Sequence, residues 1–306
     1  MNVRPVIIDT DPGIDDALAI AIALFSPELD VKLITTVAGN VGLDLVTHNA
    51  LRLLKYFGKE EIPVAKGAAE PLVRPFSDAS SVHGKTGMEG FDFPEPTQTV
   101  LEENAVDAMR RVLMNSEEKI TLLPIGPLTN IALLLKTYPE VKDKIREIVL
   151  MGGSAGRGNK GVMSEFNIVS DPEAAYIVFH SGVKLTMVGL DVGLKALVLP
   201  EDSETIRDMN KTGKMAYCLF KKYRGGSFNT GLKMYDASAV AYLLRPDLFT
   251  TVETYVDVEL AGSMTFGCTL VDLRGYLGQP DNATVCMDID PEGFRRWFVE
   301  SIRRCV

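Results

Sequence analysis

The chain has 306 residues, 46% of them hydrophobic and 24% charged, an ordinary globular composition with length enough for a large buried core. A formal charge of −9 and an isoelectric point near 5.0 argue against a nucleic-acid binder, which needs a basic face. The apolar run Ala17–Phe25 is too short to span a bilayer, so no membrane partner is expected. The opening run Val6-Ile7-Ile8 lacks the basic region and long apolar stretch of a signal peptide. Four scattered cysteines with no CxxC spacing read as structural thiols, and the expected compartment is the cytoplasm.

Along the chain, strand and helix signals alternate. Val6–Asp9 reads as a buried strand closed by Pro12-Gly13, and Asp15–Phe25 as a helix with acids in its first turn. Val31–Val37 is β-branched and ends at Gly39-Asn40; Val46–Phe57 is amphipathic at helical spacing and stops at Gly58. The pattern continues with a strand at Pro63–Ala65, a helix at Asn104–Met114 and a strand at Ile120–Leu123. Then come a helix at Leu128–Lys136, a strand at Ile148–Met151, a helix at Pro172–Phe179 and a strand at Leu185–Val188. Beyond Pro200 the reading is helical to about Tyr223 and again over Ala237–Leu244. Strands at Val252–Leu260 and Thr284–Asp288 precede a closing helix, Pro291–Cys305. Such alternation predicts an α/β fold, a mainly parallel open sheet with helices on both faces and a Rossmann-like core. A helical segment and extra strands fill the last third. With no linker or repeat visible, one domain over residues 1–306 is expected.

In open α/β sheets ligands bind beyond the carboxyl ends of the strands. The segment Asp9-Thr10-Asp11-Pro12-Gly13-Ile14-Asp15-Asp16 sits at such an end and carries four acids in eight residues. Asp15 and Asp16 alone could simply cap the following helix. Capping does not account for Asp9 and Asp11 at the end of an apolar strand, whereas a cation does, and all-oxygen donors favour a hard ion such as Ca²⁺ or Mg²⁺.

This segment resembles the signature of the inosine-uridine-type nucleoside hydrolases. The likeness recurs in order at Thr35-Thr36-Val37-Ala38-Gly39-Asn40, His83-Gly84, Ile125-Gly126-Pro127-Leu128-Thr129-Asn130, Met151-Gly152-Gly153 and Glu165-Phe166-Asn167. It is strongest toward the broad-specificity bacterial branch. The resemblance implies hydrolysis of ribonucleosides to ribose and free base, for salvage of purines or pyrimidines. It implies Ca²⁺ held by Asp11, Asp16, the backbone carbonyl of Ile125, and Asp236, with Asp11 also the general base on a calcium-bound water. Asp15, Asn40, Asn159, Glu165 and Asn167 would hold the ribose hydroxyls, Met151 would line the sugar pocket, and Asp9 would orient its neighbours. A homo-oligomer, dimer or tetramer, is implied as well.

One position departs from the pattern. Many members place His immediately before the late calcium-binding Asp, and here Tyr235 precedes Asp236. With a reference pKa of about 10, tyrosine is a poor proton relay near neutrality but a usable hydrogen-bond donor. Of the three histidines, His48 reads as structural and His180 as solvated, leaving His83 as the imidazole of the site. His83, Tyr223, Phe228 and Tyr235 are the candidates for touching the base, and Trp297, the only tryptophan, reads as packing in the closing helix. Two rival functions fit parts of the sequence. A Mg²⁺-dependent haloacid-dehalogenase-type phosphohydrolase would use Asp9 as nucleophile, and a catalytically weak nucleoside-binding protein would keep the metal and ribose residues without turnover.

Overall fold

A computed structural model describes residues 3–306. The elements run β1 (Arg4–Thr10), α1 (Ile14–Phe25), β2 (Leu29–Thr36), α2 (Leu43–Phe57), β3 (Val64–Lys66), α3 (Ser80–His83), α4 (Ala105–Asn115) and β4 (Ile120–Pro124). After these come α5 (Thr129–Thr137), β5 (Ile145–Met151), α6 (Phe166–Ser170), α7 (Pro172–Phe179), β6 (Leu185–Val188), α8 (Leu190–Gly193) and β7 (Leu197–Val198). The last third holds α9 (Pro200–Arg207), α10 (Lys211–Phe220), β8 (Gly226–Ser227), β9 (Gly231–Lys233), α11 (Tyr235–Leu244), β10 (Phe249–Thr254), β11 (Val256–Val258), β12 (Thr269–Val271), β13 (Ala283–Ile289) and α12 (Pro291–Arg304).

Eight strands form the central sheet in the order β10-β13-β6-β5-β4-β1-β2-β3, parallel throughout except for β10 at one edge. Strand β1 is central, and the residues between its two ends are buried because helices cover both faces. Its side chains alternate between two cores. Val6 and Ile8 point into a cluster with α1, α2, α11 and α12, and Ile7 into a second with α4, α5 and α7. The chain steps from β1 to β2 and β3 on one side, then returns to β4 on the other. That reversal opens a crevice at the carboxyl end of β1, where the acidic segment lies.

The parallel α/β expectation holds, and the differences have local causes. The helical stretch after Pro200 is two helices, because Asn210 caps α10 through a bond from the Gly213 amide to its side chain (2.8 Å). The stretch Val252–Leu260 belongs to two sheets. β10 runs along the main sheet, and beyond Tyr255 β11 turns to pair with β12 in a two-stranded ribbon. A three-stranded sheet, β7-β9-β8, was not expected from the sequence, since its strands are only two or three residues long. All four cysteines are free thiols, and no helix among the described residues is long and apolar enough to cross a membrane.

Helix α4 begins where the side chain of Asn104 accepts from the amides of Val106 (2.9 Å) and Asp107 (3.0 Å). Asn104→Ala removes this cap and should cost about 1 kcal/mol, read as a lower urea midpoint at unchanged slope.

Candidate active site

Two helix starts meet at the crevice. α1 brings Asp15 and Asp16 in its first turn and α11 brings Asp236 in its own, and the two helices pack side by side. The positive ends of both helix dipoles therefore face the acids. Asp15, Asp16 and Asp236 offer oxygens within 4.8 Å of one another, all buried, an arrangement that can hold a metal ion. Asp9, Asp11, Asp15, Asp16 and Asp236 are each at most 4% exposed.

Each acid is aimed by specific neighbours. Asp16 accepts from the Thr10 hydroxyl (2.6 Å), the Gly13 amide (2.9 Å) and the Asn40 side chain (3.0 Å). Asp11 accepts the Asn40 backbone amide on Oδ2 (2.6 Å), while its Oδ1 is buried without a partner. The slot around Asp11 exists because Gly39 and Gly126 have no side chains; a Cβ would fall 2.1 Å from Oδ2 and 2.6 Å from Oδ1 respectively. Asp9 is fully buried, its Oδ1 taken by the Thr35 hydroxyl (2.5 Å) and the Asn130 side-chain amide (2.8 Å). Asp9, like Asp11 and Asp16, does not stand on the cavity wall.

A single cavity gathers most of the candidate residues. Asp15, Asn40, His83, Ile125, Met151, Asn159, Glu165, Asn167, Tyr223, Tyr235 and Asp236 all line it, and Asp11 and Asp16 lie off its wall. Phe228 does not reach it; that ring is half-buried and meets the edge of Tyr217 at 5.6 Å. His48 faces Glu95 (3.3 Å), His180 stacks on Tyr176 (4.1 Å), and Trp297 packs on Phe294 (5.6 Å).

The amide nitrogen of Asn167 donates to the carbonyls of Ile125 (3.0 Å) and Met151 (3.1 Å). Glu165 caps α6, taking the Asn167 amide (3.0 Å) on one oxygen and those of Gly153 (3.0 Å) and Ile168 (3.1 Å) on the other. Burial lifts its pKa to about 6 against these bonds. Asn159 accepts from the Phe166 amide (2.9 Å) with its Oδ1, leaving its Nδ2 for the Tyr235 hydroxyl. Burial first, then Asp15 and Glu165, push the Tyr235 hydroxyl upward, further from proton donation. The Nδ1 of His83 accepts the Ile14 amide (3.1 Å), so its hydrogen sits on Nε2. Burial lowers that imidazole to about 3 and keeps it neutral despite Asp15 at 3.9 Å, because Nδ1 is occupied as an acceptor.

Sequence reading missed the groups that aim these acids. Thr10 and Thr35 look like ordinary strand residues, and their only signal was that they stand within the two segments that carry the family likeness. It also missed Lys160 and Lys233, which share the cavity wall.

Burial raises Asp9 to about 7, and burial together with Asp16 raises Asp15 to about 8. Asp11 and Asp236 are pushed well above the carboxylate range by burial and by neighbouring aspartates. Without a cation, each acid holds its proton more tightly folded than unfolded. The stability this gives is complete below the unfolded value of 3.8 and is lost as pH rises through about 7 and 8. Chelator-stripped protein is therefore expected to gain more in melting temperature from added divalent cation at pH 8 than at pH 5. Equal gains at both pH values would contradict this account.

Residues 6–296 match the family described as inosine-uridine preferring nucleoside hydrolase. The chain is 56% identical to a non-specific ribonucleoside hydrolase RihC of Klebsiella pneumoniae, over 97% of this chain and 98% of that one. It is 54% identical to the RihC protein of Salmonella newport, over 96% of both. Among solved structures, a purine-preferring ribonucleoside hydrolase from Gardnerella vaginalis superposes with a TM-score of 0.91 at 33% identity, covering 98% of each chain. A plant nucleoside hydrolase gives 0.90 at 31% identity, over 98% of this chain and 99% of that one. The acid-floored crevice thus stands in a fold shared end to end with these enzymes, and the chain belongs to the inosine-uridine preferring nucleoside hydrolase family.

Proposed function

We propose that this hydrolase cleaves the C1′–N bond of ribonucleosides of broad base identity, giving ribose and free base, with Asp11 as general base. The observation that carries the reading is the uncommitted, buried Oδ1 of Asp11 beside the Asp15, Asp16 and Asp236 cluster. Cleavage of an N-glycosidic bond builds positive charge on the ribose, and carboxylate and amide oxygens around the sugar stabilise it. Asp15, Asn40, Glu165 and Asn167 supply those oxygens on one wall, with Met151 beside them. Asp11 takes the proton of the attacking water on its free Oδ1.

The donor set fits a hard cation, and we assign calcium to Asp11, Asp16, Asp236 and the Ile125 carbonyl, with Asp15 turned to the sugar. The Ile125 carbonyl already accepts from Asn167 and keeps a second lone pair. When bound, the ion supplies the positive charge that keeps these acids ionised and makes a water more acidic. The reading extends to a single domain over the whole chain, a homo-oligomer, and a cytoplasmic role in nucleoside salvage.

Asp11→Asn is expected to lower kcat on uridine and inosine by about 10²–10⁴-fold with saturable binding retained, measured as released ribose. Full activity in that variant would sink the assignment, and ribose release absent from the unaltered protein would favour a binding protein. The site pairs buried polar groups with ribose hydroxyls, so kcat/KM for 2′-deoxyuridine should fall by about 10⁴-fold relative to uridine. Tyr235→Phe and His83→Ala should each change the rate on at least one nucleoside. Full rates on a whole panel would mean that neither touches the base.

A further inference from the structure

Breaking a C1′–N bond separates charge, leaving the sugar positive and the departing base negative. The acids account for the first half of this separation, and nothing assigned so far accounts for the second. His83 is held as a neutral imidazole by the Ile14 amide on its Nδ1, and the Tyr223 hydroxyl is spent on the Lys233 carbonyl (3.1 Å). Tyr235 is a neutral hydroxyl set against Asn159. These groups can bond to a base but carry no positive charge.

The same cavity wall holds three cations, Lys160, Arg224 and Lys233. Lys160 is exposed, donates to the Asp78 carbonyl (3.1 Å) and lies over the Phe166 ring, next to Asn159 on the sugar side. Arg224 is exposed and donates to the Ser81 carbonyl (3.2 Å). Lys233 differs from both. Its backbone is fixed in β9, paired with Leu197 and bonded to the Gly225 carbonyl (2.9 Å), and its side chain is half-buried. Among the described residues its ammonium has no hydrogen bond and no carboxylate within 4.0 Å. A cation fixed at its root, free at its tip and partly shielded from water acts strongly on charge that develops beside it.

We propose that Lys233 stabilises the departing base as an anion, in the role a histidine at position 235 would otherwise fill by protonation. This rests on the hydrolase reading above. The C1′–N bond breaks with both electrons leaving on the base nitrogen, and the water oxygen bonds to C1′ as its proton passes to Asp11. The base anion pairs with the Lys233 ammonium and takes a proton from solvent on release. Asp11 returns its proton to solvent, so the net reaction is nucleoside plus water to ribose plus base.

The test is a leaving-group series on the full-length, calcium-loaded protein. Uridine, 5-fluorouridine (a more acidic base) and 4-nitrophenyl β-D-ribofuranoside (an aglycone that leaves readily as an anion) are compared in wild type, Lys233→Met and Lys233→Arg. Loss of one such charge-stabilising group costs about 10²–10³ in kcat. Lys233→Met should lose about that much on uridine, less on 5-fluorouridine and least on the nitrophenyl riboside. Lys233→Arg should recover most of it. A merely structural lysine would lower all three rates equally, and equal losses or none would overturn the proposal. Should Lys233→Met fail to fold, as read from its melting temperature, Lys233→Gln against Lys233→Arg makes the same comparison. Wild type inert on all three substrates would sink the hydrolase reading itself; an active wild type whose leaving-group dependence is the same in Lys233→Met, rather than steeper there, sinks Lys233 alone.

Discussion

Five aspartates buried in one crevice set the terms for everything around them. Carboxylates removed from water cannot all ionise at close range, because the loss of hydration and the mutual repulsion both favour the protonated form. The surrounding structure meets that constraint piece by piece. The Thr10 hydroxyl and the Gly13 and Asn40 groups satisfy Asp16, Thr35 and Asn130 satisfy Asp9, and two helix N-termini direct positive ends inward. Among these five acids, buried oxygens without a partner remain on Asp9, Asp11 and Asp15.

The cavity carries both signs of charge: buried acids and amides line it, and so do two lysines and an arginine. An enzyme that must hold a developing cation and release a developing anion needs both signs already in place, since protein dipoles that are set in advance cost no reorganisation during the reaction. The tyrosine at 235 fits this view. It keeps a hydrogen bond to offer and has no charge of its own.

Much of this was legible in the sequence, and the limits are instructive. β1, α1 and β2 announced themselves because apolar runs ended in Gly, Pro or acidic punctuation, and their parallel arrangement followed from the alternation. The cavity-lining residues Asn159, Glu165 and Asn167 were recoverable only through the resemblance to a family, since a polar loop and a helix cap look alike in one dimension. Phe228 was misjudged because an aromatic near a site does not reveal which way it turns, and here it packs on Tyr217. Lys233 was passed over for the opposite reason: a lone lysine in a three-residue strand carries no pattern, and its position on the wall depends on strand pairing between β7 and β9. The break at Tyr255 and the small second and third sheets were hidden because strands that short have no periodicity to read.

The acidic cluster that can hold a metal ion is assembled from the first turn of α1 and the first turn of α11, more than two hundred residues apart along the chain. A ribosome makes these two turns far apart in time. Until Asp236 has emerged and α11 has docked, the amino-terminal half carries its acids with no partner helix to complete the cage. An ion held by both turns would be captured only once α1 and α11 have docked.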